Sequence, residues 1–328
     1  MLQPSRIVSA IIPGQQANPG SFQSKEPGHG TLWQTVLALA TVYVCWSTTY
    51  LAIKIGVKDL PPGLFGGIRV TTAGLCLLAM VRLVGGRVLP DSGTWRGLFL
   101  VGTLLFVGGN GLITMAEQTV DSGVAAIIVA TVPLFMALME SATPGGERLR
   151  WLGWAGQIIG ISGVILLFSG RTVVGHGGYS GVALVVASAF CWSLGSFLQR
   201  RLSRGRSPYG QAGWHMVLGG VTMTLVGLAS GETLSTDNLT HRAIGAFFYL
   251  LVVGSLLGFV AYVWLLRHVG TTIAGTYAYV NPVLAVGLGV FWDNEPVGWT
   301  MIGGLAVILL GVGLVRMGRV VVREAVGS

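Results

Sequence analysis

Ten apolar runs of about 20 residues each, separated by short polar breaks, dominate this chain. An α-helix of that length, rising 1.5 Å per residue, crosses a hydrocarbon core of about 30 Å. The runs lie at 34–55, 63–84, 95–114, 122–142, 151–169, 179–200, 210–229, 243–266, 271–291 and 297–317. The breaks carry Pro, Gly, Asp and Arg, and none is long enough for a separate soluble domain. Charged residues make up only 10% of the 328-residue chain, against roughly 25% in a soluble domain. That excludes a soluble enzyme, a DNA-binding domain and a disordered chain. The expected fold is an all-α membrane protein of ten transmembrane helices, with a polar cytoplasmic tail at 1–33 and a basic cytoplasmic tail at 318–328.

The net charge of +8 does not indicate nucleic acid, because the basic residues are dispersed through the short breaks. They report orientation instead, since Lys and Arg concentrate on the cytoplasmic side. With the N-terminus inside and ten spans, fifteen fall on inside segments and four (Lys54, Lys58, Arg171, Arg242) outside, leaving Arg69 within a span. Cys45, Cys76 and Cys191 sit inside apolar runs, without metal-ligand spacing or a disulfide framework. No cofactor or metal is expected.

The chain also repeats itself. Cys45-Trp46-Ser47 recurs as Cys191-Trp192-Ser193, an offset of 146. At the same offset Lys54 meets Arg200, Gly67 meets Gly213 and Gly74 meets Gly220. Pro133 meets Pro282 at 149; Gly156 meets Gly304 and Gly163 meets Gly311 at 148. The repeats occupy 34–169 and 170–317, with five spans each. Five is odd, so the second copy enters the bilayer from the opposite side. Inverted repeats are typical of secondary transporters, whose two halves exchange conformations.

These residues resemble the drug/metabolite transporter superfamily, in its ten-helix form with two EamA domains. The resemblance covers about 34–317. It rests on Cys45-Trp46-Ser47-Thr48-Thr49-Tyr50, Gly67-Ile68-Arg69 with Ala73-Gly74, and Gly109-Asn110-Gly111 with Ala116-Glu117-Gln118. It continues in Ala130-Thr131-Val132-Pro133-Leu134 and Gly146-Glu147-Arg148-Leu149. The set is most similar to YedA-type drug/metabolite exporters; the second repeat departs from it with Asn294-Glu295-Pro296. The resemblance implies a bacterial inner-membrane protein with a cavity between its halves, lined mainly by spans 1, 3, 4, 6, 8 and 9. It also implies export of small metabolites, amino acids or drug-like compounds, and places spans 5 and 10 on the periphery. A monomer is expected, with a dimer through spans 5 and 10 left open.

Trp46 and Trp192 fall near mid-span at equivalent depths, where indoles can stack on a substrate. Ser47 and Tyr50 share a face of span 1 with Tyr43 and Lys54; Ser193 and Ser196 form the matching face of span 6 with Arg200. Polar groups on one face look away from lipid. Lys54 and Arg200 are expected to snorkel to the headgroups. Asn110, Thr114 and Glu117, at i, i+4 and i+7, form a polar stripe on span 3. Thr276, Tyr279 and Asn281 are expected on the wall of the second half.

Arg69, about 9 Å inside span 2, must be paired or wetted. Pairing with Glu117 is the favoured expectation, and capture of a substrate carboxylate is the other. Glu117 and Glu140 are candidates for proton coupling, each with an interfacial carboxylate as the simpler expectation. Pro133 and Pro282 are expected to kink spans 4 and 9. The glycine pairs 63/67, 156/160 and 254/258 should permit close helix contact.

Three functions are weighed. The first is an exporter working by alternating access; the second is an importer or exchanger of the same solutes. The third, an intramembrane enzyme acting on lipid, needs paired carboxylates, an activated Ser or a metal cluster at depth. Of the histidines only His215 lies well inside a span. The small-molecule substrate and the bilayer are therefore the expected partners.

Overall fold

The computed structural model describes residues 32–143, 147–169, 178–202, 207–269 and 275–320. The expected tails at 1–33 and 318–328 lie almost wholly outside these residues. The described chain is helical apart from turns and one two-residue ladder, in which Arg148–Leu149 pairs antiparallel with Arg319–Val320.

Each apolar run forms a helix. In chain order these are α1 (Leu32–Val57), α2 (Pro62–Leu83), α3 (Ser92–Ala116), α4 (Ser122–Ser141), α5 (Trp151–Ser169), α6 (Gly178–Leu202), α7 (Pro208–Ala229), α8 (His241–Leu265), α9 (Tyr277–Asp293) and α10 (Trp299–Met317). Among the described residues eight of them are long and apolar enough to cross a membrane, not ten. The two that fall short are α5, whose apolar stretch is briefer, and α9, which has 17 described residues. The sequence run for α9 began at 271, but 270–274 lie outside the described residues.

Proline starts are visible. Pro62 and Pro208 each open a helix at its first position, where a missing N–H costs nothing. Pro133 acts more strongly than the expected kink. It splits α4 into Ser122–Val129 and Val132–Ser141, with Ala130 and Thr131 in a turn between them. Pro282 remains inside α9. The sequence reading did not anticipate a π-helical stretch in α3, Thr103–Gly111, and another in α8, Leu250–Leu257. The two helices are equivalent in the two repeats.

Packing is organised by glycine. A Cβ built on Gly67 would lie 2.8 Å from the Gly220 carbonyl oxygen; one built on Gly74 would lie 2.8 Å from that of Gly213. Gly67 corresponds to Gly213 and Gly74 to Gly220, so the two contacts are reciprocal, as a twofold-related interface requires. Gly63 meets Gly227 farther along, so α2 and α7 run antiparallel. The second seam repeats the pattern. Gly156 faces Gly311, and Gly163 faces Gly304, across α5 and α10. Without side chains at these positions the backbones approach closely, which gives the van der Waals contact that holds helices together in lipid.

Glycine position therefore decides the effect of substitution. Gly74→Val places atoms against the α7 backbone, and overpacking of this kind costs about 1–3 kcal/mol. Gly313, also on a helix, has nothing within 4 Å of a built Cβ; Gly313→Ala should be neutral or gain up to about 1 kcal/mol of helix propensity. Thermal unfolding in detergent checks both: Gly74→Val melts well below the parent and Gly313→Ala does not.

Candidate substrate cavity

A cavity of about 130 Å³ lies between the two repeats, walled by α1, α2, α3, α6, α8 and α9 among others. Trp46 and Trp192 both line it. Trp46 donates its indole N–H to the Gly254 carbonyl at 3.3 Å and packs against the rings of Tyr262 and Tyr277, at 4.9 and 4.8 Å. A Cβ on Gly258 would strike the Trp46 ring, so this glycine makes room for the indole. Trp192 lies edge-on to Phe106 at 6.4 Å.

Each tryptophan is followed by a serine that anchors its helix. The Ser47 hydroxyl donates to the Tyr43 carbonyl of its own helix and lies 3.1 Å from Oδ1 of Asn281; the Ser193 hydroxyl donates to the Ala189 carbonyl at 2.6 Å and lies 3.2 Å from the Val132 carbonyl. Asn281 precedes Pro282 and Val132 precedes Pro133, so the repeat relates these bonds. The two serines are buried and hold α1 on α9 and α6 on α4.

Of the other expected pathway residues, Tyr50, Asn110 and Asn281 line the cavity. Thr114 is buried and turns its hydroxyl back onto the Asn110 carbonyl at 2.6 Å. Thr276 bonds the Tyr43 hydroxyl. Ser196 is half-buried, and Tyr279 packs against the apolar cluster around Val124 and Ile128; neither lines the cavity. The sequence reading passed over Thr49, Ser188, Ser255 and Tyr277, which do. Ser255 was signalled only indirectly, by its position between Gly254 and Gly258.

Arg69 does not pair with Glu117. Its Nη2 donates to Oδ1 of Asn110 at 2.6 Å and its Nη1 to the Ser255 hydroxyl at 3.1 Å. Both acceptors sit in the π-helical stretches, one from each repeat. Arg69 itself is 3% exposed. Glu117 is equally buried, at 1% exposed, rather than lying at the interface, and neither of its carboxyl oxygens has a side-chain or backbone partner among the described residues.

Lys54 does not snorkel. It bonds Asp121 and, at 2.9 Å, Glu295. Lys58 pairs with Asp293 at 2.7 Å, completing a cluster that ties α1 and the start of α4 to the end of α9. Glu295 is 6% exposed and also accepts from the Ser122 N–H at 2.8 Å, the Ser122 hydroxyl at 2.7 Å and the Gly123 N–H at 3.0 Å. A carboxylate at a helix N-terminus satisfies orphan donors and meets the positive end of the dipole. Asn294 brings it there by adopting the left-handed conformation at φ 52° as the cap of α9.

At the opposite end Glu140 pairs with Arg200 at 2.6 Å and Arg201 at 3.6 Å. Both arginines are about two-fifths exposed, so these pairs contribute about 0–1 kcal/mol. At the other end Glu295 is buried and Lys54 nearly so, while Asp121 and Asp293 are partly exposed, so removing Glu295 leaves Lys54 with a reduced partner set. The two ends of the cavity are therefore held with unequal strength.

The profile of the EamA-like transporter family matches twice, over residues 33–169 and 179–317. The chain is 37% identical over 287 residues to the uncharacterized inner membrane transporter YedA of Escherichia coli (strain K12), covering 86% of this chain and 90% of that protein. It is 22% identical over 280 residues to the uncharacterized transporter YoaV of Bacillus subtilis (strain 168), covering 85% and 95%. A solved structure, described only as the crystal structure of a protein, aligns with a TM-score of 0.62 at 22% identity. The alignment covers 87% of this chain and 97% of that one, and at that identity it bears on the fold alone. The family is one of membrane transporters. The chain belongs to the EamA-like transporter family and is a multi-pass protein of the inner membrane.

Glu295→Ala leaves Lys54 with a weakened buried partner set and uncaps α4. A loss of about 3–5 kcal/mol is expected, as for breaking a buried pair. Glu140→Ala should cost no more than about 1 kcal/mol. Chemical or thermal unfolding in detergent orders the two; equal losses would contradict the contrast.

Proposed function

We propose that this protein is a secondary transporter that exports small metabolites, amino acids or drug-like compounds by alternating access between two inverted five-helix repeats. The reciprocal contacts of Gly67 with Gly220 and Gly74 with Gly213 carry the reading. Such contacts are what a twofold axis through α2 and α7 would produce, and a twofold that makes equivalent helices antiparallel inverts one half against the other. The family profile, matching once in each half, supports the same division. In this reading α5 and α9 complete the ten spans, and the N- and C-termini lie in the cytoplasm.

The mechanism follows from that symmetry. The shared scaffold contacts of one half have counterparts in the other, so exchanging the halves' conformations moves the opening from one side to the other. Ser47 on Asn281 and Ser193 on Val132 are one such exchangeable pair. With the N-terminus inside, the Lys54–Asp121–Glu295 cluster closes the outer end and Glu140 with Arg200 the inner end. The buried outer closure is the stronger, so the resting state opens more readily inward, where an exporter loads. Trp46 and Trp192 bound the solute between the two closures.

Counterflow in proteoliposomes tests this. Vesicles are preloaded with one unlabelled amino acid or metabolite at a time, and entry of the labelled compound is followed. Preload-dependent accumulation, lost when Trp46→Ala and Trp192→Ala are combined in a folded variant, is the expected result. A folded protein that exchanges nothing across a panel of anionic, neutral and cationic solutes contradicts the reading.

A further inference from the structure

We infer that the cavity selects solutes bearing a single carboxylate, and that the guanidinium of Arg69 is its anion site. The inference rests on the transport reading above for its purpose, but the site itself rests on geometry. Arg69 is the only charged residue among those described that line the cavity. It is 3% exposed and forms no ion pair with any described residue. Its two bonds go to neutral acceptors, the Asn110 amide oxygen and the Ser255 hydroxyl. Neutral acceptors orient a guanidinium without cancelling its charge. Of its five N–H donors, the Nε–H has no acceptor in the structure.

An intramembrane cation is costly unless it is compensated, and here the compensation must come from the cavity. The guanidinium fork matches a carboxylate, with two parallel N–H···O bonds. One positive charge is balanced by one negative charge, so a monoanion suits the site and a dianion would leave an excess. Six aromatic side chains, Trp46, Tyr50, Phe106, Trp192, Phe259 and Tyr277, share the rest of the wall with aliphatic and small polar residues. These rings accept an apolar body. A cavity of about 130 Å³ is close to the roughly 150 Å³ that holds a benzene molecule in an engineered core. The inferred solute is therefore a small monocarboxylate with an apolar or ring-sized body.

The repeat sharpens the assignment. The offset of 146 that relates Gly67 to Gly213 relates Arg69 to His215. His215 is 2% exposed and does not line the cavity. The two halves are alike in their tryptophans, prolines and glycine seams, and differ at this position. The cavity therefore carries this charge from one half, while the equivalent position of the other half stays out of the cavity.

The test is binding to the full-length protein in nanodiscs, read as the shift in Tm. Two series of matched size are used: benzoate, benzamide and benzylamine, and butyrate, butyramide and butylamine. At about ten times the dissociation constant a bound carboxylate should raise Tm by about 2 °C or more, while its amide and amine do not. Arg69→Gln should abolish the carboxylate shift. Because Arg69→Gln removes bonds to two helices, Asn110→Asp provides the second variant. It sets a carboxylate on Nη2, so the protein should fold at least as stably and lose the shift by internal competition. Equal shifts for carboxylates and amides, no shift with either carboxylate, or a benzoate shift kept in Asn110→Asp overturns the inference. Counterflow separates this from the transport reading. Exchange of neutral or cationic solutes that Arg69→Gln leaves intact refutes the anion site and keeps the transporter. Carboxylate-selective binding without any exchange does the reverse.

Discussion

In a bilayer two helices gain little from hiding apolar faces, because lipid is as apolar as leucine. Close backbone approach is what remains, and it is possible only where side chains are missing. This molecule places that approach at two seams, α2 on α7 and α5 on α10, through Gly67, Gly74, Gly213 and Gly220 and through Gly156, Gly163, Gly304 and Gly311. Each seam joins a helix to its own repeat equivalent. Everything else is arranged around them: the cavity lies beside the α2–α7 seam, with Arg69 and Met216 in its wall, and the tryptophans face it from related positions. In the proposed cycle one half rotates against the other about these smooth contacts.

Charge is used sparingly and asymmetrically on that scaffold. The proposed outer end is closed by Lys54 among carboxylates, with Glu295 also capping α4; the inner end is closed by half-exposed pairs to Glu140. Inside, among the described residues, the cavity keeps one cation and places Asn110 and Ser255 against it from π-helical turns. π-helical turns are rare and occur often at functional sites. Their occurrence in both α3 and α8, each giving one ligand to Arg69, ties an irregularity of the backbone to a chemical task.

Much of this was legible in the residues. Run length gave the helices, since 20 apolar residues have few other places to go. The spacing of Trp46 and Trp192, and of the glycines, gave the repeat; which helices the glycines join did not show. Pro133 announced a kink in α4, and it instead ends one helix and starts another. What was hidden depended on distances between helices. Arg69 and Glu117 looked like a pair because both were ionisable and near one end; the fold turns Arg69 toward Asn110 and buries Glu117 apart from it. Lys54 looked like a headgroup anchor because its partners Asp121 and Glu295 are 67 and 241 residues away. The delivery of Glu295 by a left-handed Asn294 leaves no periodic trace. The π-helical stretches lie in Gly-containing segments that read simply as apolar.

Alternating access about the glycine seams is the central claim, and double electron–electron resonance on spin-labelled pairs addresses it most directly. With the three native cysteines replaced, one pair is placed at the exposed positions Gln118 and Trp292, and the other at Ala142 and Val269, at the opposite end. The account predicts two distances for each pair in membranes, with the first pair lengthening under conditions that shorten the second. One fixed distance at both ends, or lengthening of both together, would contradict it.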